Sequence, residues 1–399
     1  MKARISKKSA LAKKMLSLVI IVFLVMSMSG CWDSRELDSV SIILGVGIDT
    51  VPFEDDLNYI FQLNKSLPSS GQNSSSSESD KQFYNVEAKS IGLKEAQQKI
   101  DLNLSRTLFM QHNQFVMVGK DKAKRTVEDC LDVFLREGSL RMEILMLVAE
   151  HTAKEVMTVD LQQESVVAVG IYRLVERLGK KNKAFESKIY KFVTDTNDVS
   201  ATAIAPIIGL NQTGENDLLE IKGFAIFKDY IMVGELSLDY VKAYSWIRGY
   251  YKSTVYDVNS EKMYASINIP VIKYEIKTAF NKKNEPVINL KYYITGKIGE
   301  LIASEKMETI ELEDYLEAEL SRQFVKQLYD CINYCKAMGV DIFGFGSVLH
   351  KNNLKQWKKI ENNWDEYYKN LEVNIEAEFR IFSDGKIDDY IDYHKEENQ

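Results

Sequence analysis

Residues 40–47 read VSIILGVG, an uncharged run rich in β-branched residues and flanked by the acids Asp38 and Asp49. Apolar side chains at both alternating sets of positions describe a strand buried on both faces, and such strands lie inside sheets that are covered on two sides. Working outward, Asn58–Leu63 (NYIFQL) pairs with it and Phe83–Ala88 adds another strand. Leu93, Ala96, Ile100 and Leu104 recur at helical spacing, the strand Gln114–Val118 follows, and Thr126, Val127, Cys130, Val133 and Phe134 mark a second amphipathic helix before the apolar strand Met142–Ala149. This βαβαβ rhythm predicts an α/β layer domain. Residues 152–193 read as further helices, with Gly179–Lys183 (GKKNK) as a polar turn between two of them. Between Asn64 and Phe83, residues 66–82 (SLPSSGQNSSSSESDKQ) have almost nothing to bury and are expected to be a disordered loop within this domain.

The stretch ATAIAPIIGLNQTG, residues 201–214, carries Pro, Gly and Asn without periodicity, and the main boundary is placed there. Beyond it, Leu219–Phe227 and Tyr230–Leu236 read as a hairpin turning at Lys228 and Asp229. Ile272, Tyr274, Ile276, Thr278 and Phe280, then Ile288, Leu290, Tyr292 and Ile294, alternate with the period of half-buried antiparallel strands. Leu312, Leu316, Leu320, Phe324, Leu328 and Ile332 trace a long amphipathic helix that Gly339 ends. A shorter helix around Leu354–Trp364 and a last strand, Leu371–Ile381, complete an antiparallel α+β unit. The expected division is residues 1–30 as signal peptide, 31–200 as an α/β domain and 215–390 as an α+β domain.

Upstream of the first strand, Lys2, Arg4, Lys7, Lys8, Lys13 and Lys14 precede an apolar run, Met15–Met26, broken by Ser17. The order of basic segment, short apolar segment and small residues is that of a secretory signal. Ser29, Gly30 and Cys31 close it as a bacterial lipobox does, with Met28 in place of the usual Leu. Cleavage there leaves Cys31 as the N-terminus, its sulfur carrying diacylglycerol and its amine open to a further acyl chain. Without the first 30 residues, 45 basic residues face 58 acidic ones, a net charge of −13. Anionic headgroups and nucleic acid both repel such a body, so an acyl anchor and not a basic patch is expected to hold it to a membrane.

Of the four cysteines in the 399 residues, three remain once Cys31 is assigned to lipid, which is no disulfide framework. Cys331 and Cys335 share one helix face and read as small core residues. His112, His151, His350 and His394 fall in no metal-ligand spacing, and no metal or other cofactor is expected. Residues 339–346 (GVDIFGFG) look like a phosphate loop, but no Lys-Ser/Thr follows and a helix precedes them. Asp388 and Asp389 sit in a charged tail. No nucleophile elbow is present, so no catalytic residue is assigned and an enzyme is not expected.

Four ordered blocks carry a resemblance. They are Cys31, Trp32, Asp33 and Glu36 with Gly47, Ile48 and Asp49; Arg106, Leu108, Phe109, His112, Val118 and Gly119; Gly223, Ala225, Phe227, Val233, Gly234 and Leu236; and GVDIFGFG with Trp357 beyond it. Together they resemble the Ger(x)C family of spore germination lipoproteins, the C subunits of nutrient germinant receptors. Lys120 stands where the family pattern has an acid. The resemblance implies a lipid-anchored protein on the outer face of the spore inner membrane, beside integral membrane subunits of A and B type, serving a response to small nutrients. In that setting Trp32, Asp33, Arg35 and Glu36 read either as a membrane-proximal collar for a partner subunit or simply as the lead into the first strand. The alternative function is a solute-binding lipoprotein of a transporter, which calls for two similar lobes, whereas the two halves here are unlike. A lipid-anchored wall enzyme would need the catalytic constellation that the motifs lack.

Overall fold

The computed structural model describes Met15 and Leu16 and residues 39–382, apart from 66–81, 137–142, 162–163, 201, 214–215, 252 and 304–306. The apolar run of residues 40–47 becomes β1 (Val40–Thr50), nearly all of it buried. On one side β1 pairs antiparallel with β2 (Leu57–Asn64), which pairs with β3 (Phe83–Ser90). On the other side it runs parallel to the short β4 (Thr107–Phe109) and to β5 (Phe115–Val118). Parallel pairing continues through β6 (Leu145–Ala149) to β7 (Thr202–Thr213), and β8 (Asn216–Lys228) and β9 (Ile231–Leu236) complete a nine-stranded sheet.

Helices cover both faces of this sheet, as parallel strands require. Val116, Val118, Met146 and Val148 enter a core with α1 (Leu93–Asp101), α3 (Glu128–Arg136) and α6 (Ile189–Thr196). Phe115, Met117, Leu145 and Leu147 point the other way, toward α4 (Ala153–Thr158) and α5 (Val167–Lys181). A short helix, α2 (Lys120–Arg125), which no apolar periodicity had marked, precedes α3. Gly179, Lys180 and Lys181, expected in a turn, form the last turn of α5 because Gly179 is buried against Glu186; the turn begins at Asn182.

The stretch read as an aperiodic boundary is strand β7. Residues 202–209 of it are buried on both faces of the sheet, which removes the alternation by which a strand is recognised, and Pro206 is tolerated within it. The sheet therefore includes β7, β8 and β9 on this side of the expected boundary and beyond it. The hairpin between β8 and β9 turns at Asp229 and Tyr230, both at positive φ (48° and 65°), the geometry of a two-residue type I′ turn.

After α7 (Leu238–Ile247), a four-stranded sheet forms in the order β10 (Thr254–Asn259), β11 (Met263–Phe280), β12 (Pro286–Ala303) and β13 (Glu372–Phe382). β13 runs parallel to β12, not antiparallel as expected, because the helices between them return the chain to the end where β12 began. Those helices are α8 (Thr309–Met338), α9 (Phe345–Asn352), α10 (Leu354–Ile360) and α11 (Trp364–Lys369). Leu312, Leu316, Leu320, Phe324, Leu328 and Ile332 of α8 are buried against the small sheet. Gly339 ends α8 at φ 70°, its N–H donating to Lys336 O and the Val340 N–H to Cys335 O, a Schellman closure. The small sheet, α7, α8 and one face of the large sheet share a continuous hydrophobic core.

Candidate functional site

Cys31, Trp32, Asp33, Arg35 and Glu36 lie outside the described residues, as do the signal segment apart from Met15 and Leu16, residues 66–81 of the Ser-rich loop, and Asp388 and Asp389. What the structure does place is the point from which the chain leads back toward Cys31. Val40 pairs with Thr107 at the start of β4, and Gln114, just before β5, donates its N–H to Leu44 O at 3.0 Å. The chain thus enters the folded body at the N-terminal edge of the parallel strands.

At the opposite end of β1 stands Asp49, 6% exposed. Its carboxylate accepts the N–H groups of Ala153 (2.7 Å) and Lys154 (2.9 Å), the first residues of α4. Burial raises its pKa above the ordinary 3.8, and those two hydrogen bonds oppose the rise. Gly119 lies so close that a Cβ there would stand 2.2 Å from Asp49 Oδ1. Gly45 and Gly47 clear space in the same way for the Phe115 ring and for Met157. The two N-terminal blocks, far apart in sequence, therefore meet as one packed corner that ties β1, β5 and α4 together.

The C-terminal block builds a second corner of the same design. Asp341, 2% exposed, accepts from the N–H groups of Phe345 (3.1 Å) and Gly346 (2.8 Å) at the start of α9 and from Trp364 Nε1 (3.2 Å). Burial pushes its carboxyl up, against the pull of those donors. Gly344 has φ 72° and Gly346 sits against Trp364 and Trp357, so the glycines serve close packing and not a phosphate. Arg248, after α7, donates Nη1 to Phe343 O (2.9 Å) and both Nε and Nη2 to the Tyr250 hydroxyl (3.2 and 3.1 Å). Thr202 at the start of β7 donates to Asp341 O (2.7 Å), and Ser347 donates to Asp198. These bonds fasten the large sheet to the C-terminal helices. Motif reading missed Arg248, Asp198 and Trp364; the only signal was an Arg before the aromatic run Gly249-Tyr250-Tyr251.

The remaining block residues divide between packing and surface. Leu108, Val118, Ala225, Phe227 and Leu236 are buried, the Phe109 and His112 rings lie 5.6 Å apart, and a Cβ at Gly223 would meet Leu236 O at 2.6 Å. Val233 is exposed. Lys120 pairs with Glu235 of β9 at 2.6 Å. Cys130, Cys331 and Cys335 are buried free thiols, and burial holds Cys130 above its ordinary pKa. Among the described residues no group of three or more His, Cys, Asp or Glu is arranged to hold a metal ion, and no helix is long and apolar enough to cross a membrane.

A mixed, helix-covered large sheet with an appended sheet-and-helix unit, stitched by buried Asp and Gly corners, defines a class of two-sheet α/β and α+β proteins. Two family models match in order: the spore germination protein N-terminal domain over residues 33–210, and the spore germination B3/GerAC-like C-terminal domain over 222–385. The chain is a member of the Ger(x)C family of spore germination proteins. Spore germination protein KC of Bacillus subtilis strain 168 is 24% identical over 408 residues, covering 94% of this chain and 97% of that protein. Spore germination protein B3 of the same strain is 21% identical, covering 92% and 97%. The crystal structure of the GerBC protein matches with a TM-score of 0.55 at 17% identity, over 85% of this chain and 97% of that one, which shows the shared fold.

Proposed function

We propose that this protein is the lipid-anchored C subunit of a nutrient germinant receptor, acting through contact with integral membrane subunits of A and B type and not by catalysis. The observation that carries the reading is the ordered match of both family models across nearly the whole folded body. Placement of the anchor supports it. Eight residues separate Cys31 from Val40, a tether of at most about 32 Å when extended. Anchoring at Cys31 therefore holds the N-terminal edge of the parallel strands near the outer face of the spore inner membrane. Trp32 rests at the interface in this arrangement, and Asp33, Arg35 and Glu36 meet loops of the partner subunits. No covalent group beyond the diacylglycerol and an optional N-acyl chain on Cys31 is required. Affinity purification from detergent-solubilised spore membranes tests the reading: two integral membrane subunits should co-purify, and recovery of this chain alone would overturn it.

A further inference from the structure

The two edges of the small sheet differ. At β13 helix α8 closes the edge: the Tyr329 hydroxyl accepts the Ile375 N–H (3.1 Å) and donates to Val373 O (3.2 Å), and Glu317 accepts the Ile381 N–H (2.9 Å). At β10 the edge stands open. In the turn between β10 and β11 the Ser260 N–H donates to Met263 O, so the alternation of an antiparallel ladder directs Thr254, Tyr256 and Val258 toward β11 and the main-chain groups of Val255, Asp257 and Asn259 outward. Gln323 Nε2 donates to Asn259 O (2.8 Å) and Thr254 Oγ1 to Val255 O (3.3 Å). The N–H groups of Val255, Asp257 and Asn259 and the carbonyl of Asp257 meet no partner among the described residues. Beside them a groove of about 600 Å³ runs between β10, α7 and α8, lined by Tyr240 and Tyr256, and its three basic side chains match three acidic ones, so it favours neither net charge. An open edge with a groove along it is a template for one more strand.

The register across the sheet shows which strand lies within reach. Phe382, the last residue of β13, is level with Lys297 of β12, Lys297 with Asn268 of β11, and Asn268 with Val255 of β10. Residues alternate between faces along a strand, and this row is out of phase with the core residues Ile381 and Tyr256, so it lies on the face turned away from α8, where Phe382 (55%) and Val255 (53%) are exposed. The chain therefore leaves β13 in the same row as the open edge. The vacant place beyond β10 is four strand spacings from β13, about 19 Å. Residues 383–389 extend to about 24 Å, enough to cross the open face over Phe382 and Val255. The next residues, Tyr390, Ile391, Asp392 and Tyr393, are mostly strand formers, with no Pro or Gly among them. We propose that the segment beyond Phe382 folds back across the open face of the small sheet and adds its residues 390–395 as a further strand on the free edge of β10. Neither the lipid anchor nor a partner subunit is needed for this contact.

Hydrogen exchange read by mass spectrometry on the full chain in detergent tests the contact. Compared with a variant that stops at Phe382, the full chain should exchange the amides of Val255, Asp257 and Asn259 at least tenfold more slowly, with β9 unchanged as the control for folding. The amides of residues 390–395 should be protected as well. Val255→Pro removes one outward donor and leaves the ladder to β11 intact. In the full-length chain it should speed exchange of the 390–395 amides at least tenfold, a readout that stands even if the shortened variant folds poorly. Exchange of those amides at the rate of an unstructured peptide, equal exchange of β10 with and without the segment, or protection that survives Val255→Pro would overturn the proposal. So would protection that falls on tenfold dilution, as a strand supplied by a second copy of the chain would give.

Discussion

Asp49 and Asp341 serve one purpose at two places in the chain: each buried carboxylate holds the first backbone N–H groups of a helix that the fold brings to it. Truncating either leaves buried donors without an acceptor, at about 1–3 kcal/mol. Asp49→Ala should therefore lower the urea midpoint by a corresponding amount, and an unchanged midpoint would contradict the corner. Gly119→Ala, at an unstrained φ of −62°, places a methyl group against Asp49 and should cost about 1–3 kcal/mol through overpacking alone. The pH response of Asp341 has a definite sign. Its folded pKa lies above 3.8, so between these values the folded chain holds more protons than the unfolded one. Stability from this group is greatest on the acid side and declines as pH rises through the window; Asp341→Asn should flatten that part of the profile in equilibrium unfolding. The Asp49 corner was not legible from local pattern, because Asp49 and Ala153 lie 104 residues apart, whereas Asp341 and its Phe345 and Gly346 donors fall within the one block GVDIFGFG. The core role of Cys331 and Cys335 was legible, since one helix face already assigns it.

Helix α8 illustrates what periodicity reads well. Phe324, on its apolar stripe, is the centre of an aromatic cluster, 5.0 Å from the Trp246 ring, 5.1 Å from Tyr292 and 5.6 Å from Phe379. Phe324→Ala should destabilise the protein by about 3–5 kcal/mol. Gly339→Ala forces a Cβ into the left-handed region and should cost about 1–2 kcal/mol by calorimetry. Strand β11 shows where periodicity needs help. Met263, Ala265, Ile267 and Ile269 are buried, but beyond an irregularity between Asn268 and Val271 the core-packed residues are Ile272, Ile276 and Phe280. The bulge adds one residue and switches the face that points inward. Reading the second half alone gave the correct face there, while the first half was out of phase with it. β7 escaped notice for the opposite reason, burial on both sides, as β1 would have done without its flanking acids.

At the scale of the whole molecule, β7 takes up residues 202–213 and the core joins both sheets, so the large sheet needs its last three strands. Phe227, Ala205 and Ile207 fill one core and Phe224, Ile226 and Leu236 the other. A fragment ending at residue 200 should show secondary structure without a cooperative transition or near-ultraviolet circular dichroism; cooperative unfolding of that fragment would contradict a sheet completed by β7–β9. The unlike architecture of the two halves was legible in the switch from helical to strand periodicity, whereas their fusion depends on long-range pairing that no local signal carries. The proposed function puts the membrane anchor beside the N-terminal edge, where the chain leads toward Cys31. The two acyl chains of a diacylglyceryl group hold a protein stably where one holds it marginally, and an acidic body supplies no electrostatic substitute. The direct test is the mass of the N-terminal peptide of the chain recovered from the membrane fraction. The expected peptide begins at Cys31 and carries a diacylglyceryl thioether. A free Cys31 thiol in membrane-retained protein, or a mature chain starting elsewhere, would contradict it.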